Sequence, residues 1–339
     1  MTQTADHTTP ETALSGVRET VALAHPPSPG VLRMTGEDAL DLLDRLSTND
    51  VDERAVGFGL STVLTTNKGR VVDLLTLLYL PDHWLLLTSP GQQQKVIDWI
   101  DAFTFGEEIE LEDISDEKAL LTLVGPAAEL LGSVVQADVS ALPHCHFIEA
   151  DISGVDALVW KTEPGPVEAF NILGPADSVS TLRSRLLNEG RLHGIREMNA
   201  DGYEALRISA GIPVHGPELG EEVNPLEAGL WHAVSFTKGC YVGQEVVARL
   251  NTYEKVKRYL TRLSLEEGPV PDAGTPLTVG GKDAGALTSV SLLVVSGRRA
   301  ALGYVRKKYA LAGVTLTAET VDGPVSCEFM GRAGRGAEG

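Results

Sequence analysis

Val234-Ser235-Phe236-Thr237-Lys238-Gly239-Cys240-Tyr241-Val242-Gly243-Gln244-Glu245-Val246-Val247-Ala248-Arg249-Leu250 carries more chemistry than any other stretch of the chain. Val234–Phe236 reads as the end of a strand and Thr237–Gly239 as a turn. Val242, Val246, Val247 and Leu250 then recur at helical spacing. Cys240 is thus expected near a helix start, where unpaired N–H groups and the positive end of the dipole favour an anion, with Lys238 two residues away. A thiol so placed falls to a pKa of roughly 3.5–7.5, from about 8.5 when free. The competing reading is a small buried hydrophobe, the commonest fate of a free cysteine.

Upstream, residues 1–22 are polar and without sustained periodicity, and read as a disordered tail, with the fold proper beginning near Pro29. Thr35 reads as an N-cap with Asp38 at the third helical position, before Ala39, Leu42, Leu43 and Leu46 on one helix face. Leu60–Thr65 and Val71–Leu80 read as a hairpin through Thr66-Asn67-Lys68-Gly69, where Asn and Gly tolerate positive φ. Trp84–Thr88 predicts a strand, and Val96, Ile97, Ile100 and Phe103 a helix. Two matching segments, Leu121-Thr122-Leu123-Val124-Gly125-Pro126-Ala127 and Phe170-Asn171-Ile172-Leu173-Gly174-Pro175-Ala176, each close an apolar strand on Gly-Pro-Ala and open a helix. Proline suits that first turn because its missing N–H was unpaired there anyway. They form an internal repeat within α+β units whose helices cover one face of mostly antiparallel sheets. After Val256 short apolar runs broken by Gly and Pro (Tyr259–Leu265, Thr275–Val279, Ala286–Val295, Ala300–Val305, Gly313–Ala318) predict a small β-barrel or sandwich.

The 339 residues exceed what one core holds comfortably, so two or three domains are expected. With 43% hydrophobic and 22% charged residues the composition is that of a soluble globular protein. Neither a membrane-length apolar run nor a signal-peptide core is visible, so a cytoplasmic protein without membrane contact is expected; a monomer is expected as well. Cys145, Cys240 and Cys327 are odd in number and widely spaced, which argues against a disulfide framework. His144-Cys145-His146 alternates into Phe147-Ile148 and reads as a strand; it lacks the further ligands of a metal site. The net charge of −19 disfavours non-specific nucleic-acid binding. The charge is uneven: residues 1–237 hold 14 Lys+Arg and 37 Asp+Glu, whereas residues 238–310 hold 12 and 6.

Lys238-Gly239-Cys240-Tyr241-Val242-Gly243-Gln244-Glu245 resembles the signature of the YgfZ family of folate-binding proteins, relatives of the glycine-cleavage T-protein, an aminomethyltransferase. The similarity runs from about Gly36 to Val325, through Arg207–Pro213 and Asn224–Leu230. It implies two interleaved α+β subdomains over residues 23–256, a C-terminal barrel over 257–331, and a short tail over 332–339. It further implies tetrahydrofolate or a one-carbon derivative as ligand. Cys240 and Lys238 would be the reactive groups, and Asp73, Glu227, Tyr241, Gln244, Glu245 and Arg249 would border the folate. For three of these a plainer reading competes. Asp73 reads equally as a solvent-facing strand residue, Arg249 as the ion-pair partner of Glu245, and Tyr241 as core.

The aminomethyltransferase pattern has a glutamate where this chain has Ser209, and a second acid beside Asp73 where this chain has Leu74. Both departures favour the YgfZ type, which the resemblance links to maintenance of iron–sulfur proteins and, through them, tRNA modification. The alternatives are a tetrahydrofolate-dependent aminomethyltransferase and a non-catalytic adaptor.

Overall fold

A computed structural model describes residues 19–52, 54–162 and 168–334. Most of the expected N-terminal tail and the last residues of the C-terminal one lie outside these ranges. Of the tail, Val21 and Ala22 are buried, so the fold begins before Pro29. They belong to or adjoin strand β1 (Ala22–Ala24), which is followed by β2 (Gly30–Thr35) and α1 (Ala39–Leu46). Leu42, Leu43 and Leu46 are buried on the predicted face of α1. The cap is not Thr35, which ends β2; Asp38 stands there, its carboxylate accepting from Glu108 N at 2.8 Å. Gly36 sets the boundary: at φ +116° its Cα faces the Glu108 carbonyl so closely that a Cβ would lie 2.0 Å from it.

Strands β3 (Gly59–Thr65), β4 (Val71–Tyr79) and β5 (Trp84–Thr88) follow, then α2 (Gln93–Asp101) and β6 (Glu110–Asp113). The predicted hairpin joins β3 to β4, with Gly69 at φ +64°. Next come β7 (Lys118–Val124), α3 (Ala128–Val135), β8 (Phe147–Asp151), β9 (Asp156–Thr162), β10 (Ala169–Pro175), α4 (Val179–Glu189), β11 (Arg196–Met198), α5 (Ala200–Ala210) and α6 (Gln244–Thr252). The two halves of the internal repeat are β7 and β10, neighbours in one sheet with Thr122 opposite Asn171.

One sheet has the order β11-β1-β7-β10-β9-β8 and the other β3-β4-β5-β2-β6. The chain starts in the first, builds the second with β2 to β6, and returns. That interleaving is the expected one. Each sheet has an outer face under helices: Leu75, Leu77 and Tyr79 of β4 pack with α1 and α2, and Leu121 and Leu123 of β7 with α3 and α4. Alternation turns their neighbours inward. At one end the inner faces meet directly through Leu78, Leu87, Phe147, Trp160 and Leu173; at the other they part.

The C-terminal strands are β12 (Arg258–Glu266), β13 (Pro276–Val279), β14 (Lys282–Val295), β15 (Arg298–Arg306), β16 (Thr315–Thr320) and β17 (Gly323–Arg332). They close a six-stranded barrel, β12-β15-β14-β13-β16-β17. The first five match the runs read from sequence; β17 was not singled out there. None of the described helices is long and apolar enough to cross a membrane.

Two local expectations fail. Val234–Phe236 is not a strand: Trp231–Ala233 forms a 3-10 turn and the chain then runs irregularly to α6. His144 pairs with Lys161 as an isolated bridge outside any ladder, and Cys145 turns at φ +64°, so the strand starts at Phe147. At Cys145 the positive φ breaks the extended run, and Val234 instead closes the 3-10 turn by donating to Trp231 O at 3.2 Å.

Candidate functional site

Where the two inner faces part they leave a cleft of about 460 Å³, closed on its third side by the end of α5 and by the barrel. β4 contributes Leu74 and Thr76, β7 Leu120 and Thr122, β10 Asn171, and the barrel Arg262 and Arg332. His144 and His232 approach each other within it, ring centroids 6.2 Å apart. Desolvation lowers the pKa of the His232 imidazole. Thr122 Oγ1 donates to Asn171 Oδ1 at 2.7 Å. Arg262 Nε is buried without a hydrogen-bond partner, and Arg332 lies over the Tyr259 ring at 4.0 Å. No acidic residue is among the described residues lining the cleft. It is a donor-rich, cationic space.

The signature loop lies elsewhere. α6 begins only at Gln244, four residues past Cys240, because Gly243 at φ +85° presses against the β3–β4 turn, where a Cβ would sit 2.5 Å from Thr66 O. Cys240 is therefore not at a helix start. It is exposed. The Lys238 ammonium is buried and bonded to Asp44 O at 2.7 Å, Asp44 Oδ1 at 2.6 Å, Asn49 O at 2.6 Å and Ser47 O at 3.1 Å. It caps the carbonyls at the C-terminal end of α1, which have no partner inside the helix. Burial lowers its pKa, opposed by the Asp44 contact.

Tyr241 is buried, its ring 5.6 Å from the Lys238 ammonium and its hydroxyl pKa pushed up to about 12 by desolvation. Gln244 donates to Gly239 O at 3.0 Å. Glu245 and Arg249 pair at 3.1 Å in the open, a contact worth about 0.3–0.5 kcal/mol. The plainer readings of Tyr241 and Arg249 are the ones this geometry displays.

Asp73 faces away from the cleft, on the helix-covered side of β4, and is fully buried rather than solvent-facing. Its Oδ2 accepts from Ser89 N at 2.9 Å and its Oδ1 lies 3.6 Å from His215 Nδ1. Desolvation raises its pKa, with the Ser89 bonds and His215 opposing. Its neighbour Leu74 is the residue that lines the cleft. Glu227 is held between Arg258 at 3.4 Å and Arg70 at 3.8 Å, and Ser209 Oγ donates back to Ala205 O at 2.7 Å. None of Asp73, Glu227, Lys238, Cys240, Tyr241, Gln244, Glu245 and Arg249 lines the cleft.

The GCVT N-terminal domain matches residues 4–238. The chain belongs to the GCVT family. It is 32% identical over 301 residues to a putative chloroplastic transferase of Arabidopsis thaliana, a match covering 88% of this chain and 68% of that protein. It is 31% identical over 291 residues to the aminomethyltransferase of Desulfitobacterium hafniense, covering 85% and 79%. The crystal structure of glycine cleavage system aminomethyltransferase T from Bartonella henselae superposes with a TM-score of 0.79 at 20% identity, over 94% of this chain and 88% of that one. That likeness is one of fold.

Sequence reasoning missed the residues this GCVT-family cleft is made of: Thr122, Asn171, His232, Arg262 and Arg332. A signal was present, since each half of the repeat sets one polar residue, Thr122 or Asn171, inside an apolar strand that would otherwise stay uninterrupted.

Thiol exposure gives a direct check on the signature loop. Cys145 and Cys327 are buried, and burial pushes the Cys327 pKa up to about 11. Iodoacetamide at neutral pH should modify Cys240 in the folded protein and reach the other two only on unfolding. Mass spectrometry that finds Cys145 modified as fast as Cys240 would contradict this arrangement.

Proposed function

We propose that the cleft binds a reduced folate, and that this GCVT-family protein is of the YgfZ type, acting in support of iron–sulfur proteins. The observation that carries the reading is the set of unspent donors in the cleft, above all the buried, unpartnered Arg262 Nε with Arg332 beside it. A folate tail ends in carboxylates, and guanidinium–carboxylate bonds are the strong, charge-assisted kind. Arg262 and Arg332 would hold that tail; Thr76, Thr122 and Asn171 would meet the polar edges of the ring system. A bound reduced folate supplies two nitrogens, N5 and N10, that carry a one-carbon unit. The exposed Cys240 thiol, lying outside the cleft, is in this reading available to a partner rather than to the folate.

Aminomethyl transfer is the second reading, favoured by the relatives named above. Against it stands the composition of the cleft wall. Leu74 occupies the inward position beside Asp73, and no carboxylate replaces it among the described lining residues. Methylene transfer from a lipoylated carrier protein to tetrahydrofolate, measured by release of methylene-tetrahydrofolate, should therefore be absent; sustained turnover would reverse the order of the two readings.

Folate binding itself is tested by thermal unfolding. At about a hundredfold excess over the dissociation constant, linkage gives roughly 2.7 kcal/mol of stabilisation. Tetrahydrofolate or its 5-formyl derivative should raise the melting temperature accordingly. A melting temperature unmoved by millimolar amounts of either would remove the proposal.

A further inference from the structure

We infer that the cleft is built for a folate carrying an acyl one-carbon unit, and that Asn171 selects that form by donating a hydrogen bond to the acyl oxygen. The inference rests on the folate reading above and names the form of the ligand.

Its starting point is the internal repeat. Because β7 and β10 pair in register with Thr122 opposite Asn171, the polar residues of the two halves meet side by side on the cleft wall. The Thr122 hydroxyl donates to Asn171 Oδ1 at 2.7 Å. That bond spends the oxygen of the amide. The nitrogen, with its two N–H groups, has no partner among the described residues and is left for whatever enters.

The remaining walls repeat the pattern. Arg262 Nε is a buried donor without an acceptor, Arg332 has its ring contact with Tyr259 and no hydrogen bond or ion pair among the described residues, and no described acid faces the cleft. A buried donor left unpaired costs more than a formed bond gains, so such a cleft discriminates by what its ligand accepts.

The forms of a reduced folate differ in this respect. The unsubstituted form offers N–H at N5 and N10, more donors facing donors. A methyl group offers neither donor nor acceptor. The methenyl bridge makes the ring system a cation and adds no acceptor for an amide N–H. A formyl group alone adds a neutral carbonyl acceptor, the complement of an oriented amide N–H. One such bond corresponds to a preference of about tenfold.

The test is a calorimetric comparison of 5-formyl-, 5-methyl- and unsubstituted tetrahydrofolate on the wild-type chain, on Asn171→Asp and on the Thr122→Val/Asn171→Leu pair. Asn171→Asp still accepts from Thr122 while losing both N–H donors; the apolar pair removes the polar couple together, so neither half is stranded. We expect the 5-formyl form to bind the wild type about tenfold more tightly than the other two. That ratio should fall to one or below in Asn171→Asp and to about one in the apolar pair, with melting temperatures confirming that both variants fold. Equal binding of all three forms by the wild type would overturn the inference and leave the folate reading standing. A preference that persists unchanged in the variants would overturn the role of Asn171. Failure of every form to bind would remove the folate reading itself.

Discussion

Lys238→Met is expected to destabilise the protein by about 3–5 kcal/mol, the usual consequence of removing one member of a buried charged pair. The ammonium is enclosed by four oxygens from Asp44, Ser47 and Asn49. Methionine keeps the bulk and strands all but Asp44 Oδ1, which still accepts from Val51 N at 2.8 Å. The other three are main-chain carbonyls around the end of α1, and a buried carbonyl without a donor costs about 1–3 kcal/mol. The signature therefore contributes first to architecture: it ties the chain entering α6 to α1, and Val242 N extends the tie by donating to Arg45 O at 3.0 Å. Denaturant unfolding should show the loss as a lowered midpoint. Cys240→Ala, at an exposed position, should shift stability by no more than about 0.5 kcal/mol. Equal stability of Lys238→Met and wild type would mean that the ammonium is not caged as described. From the sequence alone Lys238 reads as a positive charge acting on Cys240, and Lys238→Met is expected to change folding stability little.

Glu218→Ala is expected to cost a similar amount, about 3–5 kcal/mol. Arg207 of α5 is buried and meets Glu218 Oε2 at 3.0 Å, Ser289 Oγ at 2.9 Å, and Glu204 through both Nε and Nη2. Glu218 is itself 1% exposed; it accepts from Ser289 Oγ at 2.6 Å, and its carbonyl accepts from Tyr304 OH at 2.8 Å. Ser289 and Tyr304 are barrel residues, so this network fastens the barrel to the interleaved sheets and holds the third wall of the cleft. Without Glu218 the guanidinium keeps only the partly exposed Glu204 as counter-charge. Loss of stability should be accompanied by weaker folate binding, because Ala210, Gly211 and Ile212, which line the cleft, directly follow Arg207's helical turn. A variant as stable as wild type would show that the network is ornamental.

These two positions mark where sequence reading reached its limit. Periodicity located α1, the β3–β4 hairpin, both halves of the repeat and five of the six barrel strands, because each buries one face and the pattern of burial is written at period 3.6 or 2. The helix start at Cys240 was misplaced since Val242 satisfies helical spacing while packing as an irregular segment against the core under α1. The residues expected at the site stand outside the cleft for a related reason. Side-chain direction across β4 decides whether Asp73 or Leu74 enters the cleft, and that parity depends on the irregularity in register at Leu64/Thr65. Arg262 and Arg332 lie seventy residues apart on β12 and β17, which no local pattern joins. Closure of the barrel brings them to one wall.

The central claim, that ligand recognition resides in the cleft rather than in the signature loop, is tested most directly by calorimetric titration of 5-formyl-tetrahydrofolate into Arg262→Met and Cys240→Ala. Loss of a charge-assisted contact predicts a weakening of about tenfold or more for Arg262→Met, with Cys240→Ala binding as the wild type does. Undiminished binding by Arg262→Met together with loss of binding by Cys240→Ala would contradict the account.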